Sequence, residues 1–569
     1  MAFKAGYDLR RVWHWMIRCE WLAVAIIALV AISLHVRFVS SVGGLWRDEA
    51  NSVQLAALPT FGEVASNLDY DSFPILFFVL LRSWTAIFGF GNDAAFRALG
   101  FLIGLAVLTA LWSNARAFGA RWPVLSFALI GLNPMLIRYG DSTRAYGLGI
   151  LLILLTFGSF WRLVNVPGRP SRGKILAATV LALLSVHCLH YNCVLLAAII
   201  AASGAVALRK RAWRTAVTVT AIGVLAAVSM LSYLPMMRRM HEWTFLVNYP
   251  VDLPWLWKRA CEVLGSPDPL GIWLWTGLFV FGLSTVFAFG LSRLWNQSTQ
   301  RPFLHDVGPG DQHRIPDAVL FAAVSAAVAV PFYAGFLWAL KYCTQPWYYI
   351  TLAAFAACAL DVVFGAWSYA EKPGARLLWP AVRLGSAFIL LCLAALPAWE
   401  ELPVRHTNVD LLARQLRLEA TKNDLIIASH WQYAVSLNRY YSGPAEIMTL
   451  PPIDDHRFHR YDLALHQMLT AQPLQPVFNR VEEVLRSGHH VFFLGALPSP
   501  PTNTSPPAFS IGYRDPSGNW RGGNFDNVWV QQAAYFIRSH VVRYTEKNVP
   551  RVHVQQFERL SLSMAEGWR

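Results

Sequence analysis

Charge is scarce in this chain. Only 14% of its 569 residues are Asp, Glu, Lys or Arg, against about a quarter in an ordinary soluble domain. Together with a 55% hydrophobic content and a mean hydropathy of +0.38, that scarcity excludes a wholly soluble protein. Cysteine is also sparse: the seven residues at 19, 188, 193, 261, 343, 358 and 392 all precede residue 400. None of their spacings matches a zinc site, and the segment beyond residue 400 has no disulfide framework. Cys188 and Cys193 need a turn between them to pair, and two buried thiols are the expected state. No internal repeat is evident, an absence that weighs against a transporter built from symmetric halves. A net charge of +14 raises the question of nucleic acid, but residues 400–569 hold 17 Lys/Arg against 16 Asp/Glu and are nearly neutral. The excess sits in short loops such as Arg209-Lys210-Arg211 with Arg214, and Arg169, Arg172 and Lys174. That is the positive-inside pattern of cytoplasmic loops, and it excludes nucleic acid as a partner.

What the chain does have is apolar runs of near-spanning length, from about Trp21 to about Trp399. Lys4, Arg10, Arg11 and Arg18 precede the first and place the N-terminus in the cytoplasm. Ser41-Val42-Gly43 loosely resembles a signal-peptide cleavage site, but the spans that follow require an anchored start, so the first run is read as an anchor. Phe73 to Phe88 is apolar but interrupted by Arg82. Making it a span would put the basic loops on the wrong side, so it is expected to lie in the interface. Spans then fall near 22–39, 98–115, 123–139, 146–163, 175–190, 194–208, 216–236, 271–292, 318–340, 343–366 and 384–399, about eleven crossings. The odd number leaves the C-terminal segment outside. That segment carries strand-like runs at Asp424–Ser429, Glu446–Leu450 and His490–Gly495, with helix-like stretches at 409–418, 433–441 and 477–486. Pro498–Pro507 reads as an exposed loop. The expected architecture is a polytopic α-helical membrane module over residues 1–400 with a soluble α/β domain over 401–569.

Several polar groups collect on the outer face. The first loop carries Arg47-Asp48-Glu49-Ala50, two adjacent carboxylates beside a membrane exit, where charge is costly to hold near lipid. Asp71 follows in the same loop. After the third run comes Arg138-Tyr139-Gly140-Asp141-Ser142-Thr143-Arg144-Ala145-Tyr146, then His190-Tyr191-Asn192, and after the ninth Lys341-Tyr342. Singly, each has a structural explanation, because Tyr anchors at interfaces and Arg and Lys snorkel to headgroups. As a set they gather carboxylates, guanidiniums, an ammonium and an imidazole at the level of a lipid-linked phosphate. Arg and Lys suit phosphate, and an ionised Asp can accept the proton of an attacking hydroxyl. A departing phosphate needs charge neutralisation, from cations or a bound metal.

The order of Leu45-Trp46-Arg47-Asp48-Glu49-Ala50, Asp71-Ser72-Phe73-Pro74-Ile75-Leu76-Phe77, Arg97-Ala98-Leu99, Asn133-Pro134, Asp141-Ser142-Thr143-Arg144-Ala145-Tyr146-Gly147-Leu148 and Lys341-Tyr342 resembles the GT-C glycosyltransferases. The likeness is greatest to the branch of the protein O-mannosyltransferases and the lipid A aminoarabinose transferase. It covers residues 20–400 in organisation and 20–160 in motif detail. It implies a GT-C-like enzyme of the cell (inner) membrane that moves a sugar from a polyprenyl-phosphate donor to a lipid, glycan or protein acceptor on the outer face, by an inverting single displacement. Carried over, Asp48 would be the catalytic base, Glu49 its assistant, and Asp141 a second acid. Glu49 and Asp141 would hold a divalent cation (Mg, Mn or Ca) if one is used. Arg47, Asp71, Arg138, Arg144, Tyr146, His190, Tyr191, Lys341 and Tyr342 would face substrate and phosphate.

Two departures stand out. Phe73 occupies a position where the family often has a basic residue facing the donor phosphate, which leaves Lys341 or Arg138 to serve. Asp141 stands one position before the usual second-loop acid, where this chain has Ser142. The competing readings are a transporter or lipid-handling protein, with Asp361 as its clearest buried charge, and an inactive scaffold. In the tail, Trp431, Tyr433, Tyr440 and Tyr441 suggest either a sugar-stacking platform or ordinary core aromatics.

Overall fold

A computed structural model describes residues 2–166, 168–243, 251–295, 314–367, 373–499, 506–507 and 522–569. Most of the expected Pro498–Pro507 loop lies outside the described residues.

Eight helices among the described residues are long and apolar enough to cross a membrane: Trp15–Ser41, Asp93–Phe118, Ala145–Val164, Asn192–Arg209, Trp213–Trp243, Leu270–Phe287, Pro316–Leu340 and Leu377–Glu401. They coincide with eight of the eleven expected spans. Large apolar side chains such as Leu29, Val217, Trp273 and Phe388 point outward along them. In water such an array would be unstable, and in lipid it is the expected surface. The chain is a polytopic helical membrane protein.

The three remaining spans are shorter or broken. Arg172–Cys188 is a 17-residue helix, and the run at 343–366 becomes α-helical only from Ile350, after a 3-10 turn at Pro346–Tyr348. The run at 123–139 is two pieces, Val124–Gly131 and Pro134–Gly140. Asn133 explains the break. Its side-chain oxygen caps the backbone N–H of Met135 and Leu136 at 2.9 and 3.1 Å, while its amide donates to the Val263 carbonyl at 2.8 Å. Pro134 lacks an N–H and disfavours α geometry in the residue before it, so the helix restarts there. Ile75–Phe88 is a 14-residue helix with Phe77, Phe78 and Leu81 buried and Ile87 and Phe88 exposed.

Charge buried within the bundle is tied off in pairs. Arg383 bonds Glu20 at 2.8 Å and Asp361 at 3.2 Å, and Asp361 also accepts from Ser126 at 2.8 Å. Asp317 meets Lys210 at 3.0 Å and is also paired with Arg209. These contacts make Asp361 a tie between helices, each charge being offset where it is desolvated.

Beyond Glu401 the chain forms a five-stranded sheet of order β2-β1-β3-β5-β4. β1 (Leu425–Ser429), β2 (Glu446–Leu450) and β3 (His490–Leu494) are parallel, and β5 (Leu562–Trp568) and β4 (Val541–Glu546) complete it antiparallel. Alternate residues feed two cores. Leu425, Ile427, Val491 and Phe493 face one side, and Ile426, Phe492 and Leu494 the other, each covered by helices. The helices expected at 409–418, 433–441 and 477–486 are present as Val409–Glu419, Tyr433–Tyr440 and Gln475–Arg486.

The sheet domain packs on one end of the bundle through specific bonds. Asp93 pairs with Arg439 at 2.5 Å and accepts from the Tyr440 hydroxyl at 2.6 Å, and that hydroxyl accepts from the Leu45 N–H at 2.5 Å. Trp431 and Tyr441 are core residues, Tyr433 packs partly buried against the same core as Tyr441, and Tyr440 belongs to this interface, so the four tail aromatics do not form a stacking platform. Cys188 is buried and Cys193 half-buried, and both are free thiols.

Candidate functional site

A cavity of about 320 Å³ opens where the first loop, the turns at 70–73 and 141–144, the segment 342–348 and the sheet domain meet. Its first wall is the helix Arg47–Ala56. Successive helical residues point about 100° apart, so the adjacent carboxylates of this helix part company. Asp48 faces the cavity with its side chain 21% exposed, and the Arg47 Nε stands 3.5 Å from it. Glu49 turns the other way and is fully buried.

Glu49 is fully engaged there. Its Oε1 accepts from Arg97 Nη1 at 2.5 Å and the Thr143 N–H at 2.8 Å. Its Oε2 accepts from Arg97 Nη2 at 2.9 Å and the Trp46 N–H at 3.3 Å. Arg97 Nη2 also donates to the Gly44 carbonyl at 2.8 Å. Glu49 therefore joins the first-loop helix, the helix Asp93–Phe118 and the turn at 141–144, and it does not reach the cavity.

The second wall is an ion pair. Arg144 Nη1 donates to Asp71, to Ser52 Oγ at 2.7 Å and to the Asp48 carbonyl at 2.8 Å, and Ser52 donates to Asp71 at 2.5 Å. The Arg144 guanidinium lies 4.5 Å above the Phe73 ring, and Phe73 meets Tyr146 edge-on at 5.3 Å. Phe73 thus supports a cation by its ring face, at the place where a basic residue is absent. Tyr146, Tyr191, Tyr342 and Tyr348 continue this wall, joined by Tyr70 and Tyr461. Burial pushes the Tyr342 and Tyr461 phenols up, keeping both as neutral donors.

The third wall comes from the sheet domain through Gln432, His459, Tyr461 and Phe557. Gln432 accepts from Arg47 Nη1 at 3.1 Å, and Glu558, directly behind, accepts from the Arg47 N–H at 3.1 Å. Burial pushes the Glu558 carboxyl up to about 7 against the pull of Arg47.

Of the residues expected to meet substrate, Arg47, Asp48, Asp71, Arg144, Tyr146, Tyr191 and Tyr342 line this cavity. Five do not. Asp141 is buried behind the helix Asp93–Phe118, 2.6 Å from His35 Nδ1. Arg138 is spent on the carbonyls of Val404 and Glu401, both at 2.7 Å. His190 is half-buried against the edge of Tyr233, 5.6 Å between centroids. Lys341 is exposed at the end of its helix with φ +48°, and Glu49 is locked as above. Neither Lys341 nor Arg138 is the cation opposite Phe73, since the cavity's guanidiniums are those of Arg47 and Arg144.

The donor set does not fit a divalent cation held by Glu49 and Asp141. Both Glu49 oxygens are taken by Arg97, and Asp141 is bonded to His35. No group of three His, Cys, Asp or Glu able to hold a metal occurs among the described residues.

No family model and no curated protein matches this chain. Among solved structures, it is similar to ArnT from Cupriavidus metallidurans, both bound to undecaprenyl phosphate and in the apo state. Each matches at 12% identity and a TM-score of 0.48, covering 95% of this chain and 97% of that one. It is also similar to the Archaeoglobus fulgidus oligosaccharyltransferase tethered with an acceptor peptide containing the NVT sequon, at 12% identity and a TM-score of 0.46, covering 95% of this chain and 74% of that one.

Sequence reasoning missed Ser52, Gln432, His459, Tyr461 and Glu558. Ser52 follows Asp48 by one helical turn, a spacing that places both near one face. The other four lie more than 380 residues downstream, and nothing local in the sequence ties them to the first loop.

Proposed function

We propose that this protein is a membrane glycosyltransferase that moves a sugar from a polyprenyl-phosphate donor to an acceptor hydroxyl on the outer face. The observation that carries this reading is Asp48, a partly exposed carboxylate beside the Arg47 guanidinium in a cavity that Arg144 and several phenols also line. The acceptor oxygen attacks the anomeric carbon as the bond from that carbon to the phosphate oxygen breaks. Asp48 takes the acceptor's proton. The phosphate leaves with both electrons of the broken bond, and Arg47, Arg144 and the neutral phenols stabilise its charge. Attack opposite the departing phosphate inverts the anomeric centre in a single displacement. Asp71 and Ser52 act on Arg144, fixing its orientation, and are positioning residues. Glu49 and Asp141 hold the loops that carry Asp48 and Arg144. No step passes through a metal ion.

The reading divides the chain into a catalytic membrane module, residues 1–400, and an extracytoplasmic domain, residues 401–569. The basic short loops place the N-terminus in the cytoplasm, so the cavity faces outward. The acceptor is a hydroxyl-bearing lipid, glycan or protein.

The test gives membranes containing the protein a panel of radiolabelled polyprenyl-phosphate hexoses and pentoses. Wild type is expected to release polyprenyl phosphate and pass label to an envelope component. Asp48→Asn is expected to insert and fold normally and to lose transfer by at least about 10²-fold. Wild-type turnover in that variant sinks the assignment.

A further inference from the structure

Histidines with unbonded ring nitrogens occur at several places in this molecule, and only one of them lines the cavity. His190 and His406 have both ring nitrogens buried without a partner, but neither lines the cavity and both pack against aromatic rings. His459 is different. It is the one histidine among the lining residues, it is 5% exposed, and its Nε2 has no hydrogen-bond partner. A buried polar atom left unpaired is uncommon in a native structure and calls for an explanation.

The surroundings of His459 are built, and they are built from both modules. Its backbone N–H donates to the Asn51 side-chain oxygen at 2.9 Å, and the amide of Asn51 donates to the Tyr70 carbonyl at 3.1 Å. Asn51 is fully buried and lies one helical turn beyond Asp48, so the segment carrying His459 is pinned to the helix that carries the proposed base. Trp431 and Tyr461 meet the imidazole at centroid distances of 6.4 and 5.9 Å, leaving it an apolar seat. The charges of Asp48, Arg47 and Arg144 all act on it, and burial, the largest effect, pushes its pKa down to about 4. At neutral pH the ring is uncharged, with one nitrogen bearing a proton and the other a lone pair.

We propose that His459 positions the acceptor: its unpaired ring nitrogen, bearing the N–H, donates to a lone pair of the acceptor's hydroxyl oxygen and holds that oxygen between Asp48 and the donor sugar. This rests on the glycosyl-transfer reading and deepens it. The N–H of a neutral imidazole donates to a hydroxyl oxygen, which leaves the hydroxyl's only proton directed at Asp48 and a second lone pair free for attack. The proton still passes to Asp48 and the phosphate still leaves toward the guanidiniums. His459 changes neither balance, and sets only the approach of the nucleophile. Misplacement of a nucleophile by about 1 Å costs on the order of 10²-fold in rate.

The experiment compares His459→Ala, His459→Asn and Asp48→Asn with wild type in the transfer assay, alongside binding of undecaprenyl phosphate to each purified protein. His459→Ala is expected to lose transfer by about 10²-fold while binding undecaprenyl phosphate as wild type does. His459→Asn, which keeps a hydrogen-bonding side chain, recovers part of the rate, and added imidazole recovers part of it in the Ala variant. Two results overturn the proposal: transfer at the wild-type rate in His459→Ala, or a loss matched by lost lipid-phosphate binding that neither Asn nor imidazole restores. A wild-type protein that releases sugar from no donor overturns the transfer reading and the role of His459 with it. Transfer abolished by Asp48→Asn but untouched by His459→Ala leaves the transfer reading standing and removes only this proposal.

Discussion

Asp48 and Glu49 are neighbours in sequence with opposite duties, and the divergence follows from helix geometry. One residue of helical advance turns the second carboxylate from the cavity to the bundle, where Arg97 meets both of its oxygens. Such a buried pair is costly to break from one side, because the surviving charge stays desolvated. Glu49→Gln is therefore expected to destabilise the fold by roughly 3–5 kcal/mol, seen as a fall in apparent unfolding temperature in detergent. Glu49→Leu combined with Arg97→Met recovers most of that loss, because no unpaired charge remains. A Glu49→Gln protein as stable as wild type removes the structural role assigned here. Lys341→Ala, by contrast, changes an exposed side chain outside the cavity and is expected to leave transfer within about twofold of wild type. Asp48 was legible because a carboxylate beside a membrane exit is expensive wherever it points. The duty of Glu49 was not, because its partner lies 48 residues away and adjacency alone suggested shared chemistry.

At the scale of elements, close backbone approach decides where the turn at 141–144 sits. The helix Asp93–Phe118 crosses the turn at 141–144 at Gly100, where an added Cβ would lie 1.8 Å from the Asp141 carbonyl oxygen. A clash with a backbone atom cannot be relieved by rotating a side chain. Gly100→Ala is expected to push the turn away, cost about 1–3 kcal/mol as overpacking does, and lower transfer by moving Arg144. Gly204→Ala has open space around its Cβ position and serves as the control, with unchanged unfolding temperature and transfer. Equal behaviour of the two variants overturns this account. The strands β1 and β3 were readable because each is a mostly apolar run buried on both faces, and β2, though an edge strand, because Ile447, Met448 and Leu450 keep it apolar. β4 was not: as an edge strand it buries only Val541 fully, and its exposed positions carry Arg543 and Glu546. The run at 123–139 looked like one span because hydropathy registers apolarity and is blind to the cap that Asn133 forms before Pro134.

At the scale of the whole molecule, the cavity exists only where the bundle and the sheet domain meet, and Arg47 is the residue held from both sides. Its guanidinium lies near Asp48 from the first loop and Gln432 from the sheet domain, with Glu558 at 3.6 Å from its Nε. Composition and periodicity carried no signal for this contact, which joins residues more than 380 positions apart. Glu558 makes the junction sensitive to pH. Its carboxyl is fully buried, and its pKa stands at about 7 against an ordinary value near 4.5. Because the folded state holds this proton more tightly than the unfolded chain, the contribution of Glu558 to stability is greatest below about pH 4.5. It declines as the pH rises toward 7 and is constant above that, a total of about 3 kcal/mol. Glu558→Gln carries no titrating proton and lacks this decline. Relative to wild type, the Gln variant is expected to gain apparent stability steadily from pH 5 to pH 7 and no further between pH 7 and pH 9. A difference between the two proteins that is flat from pH 5 to pH 9 means that Glu558 is ionised throughout and that Arg47, rather than burial, governs its charge.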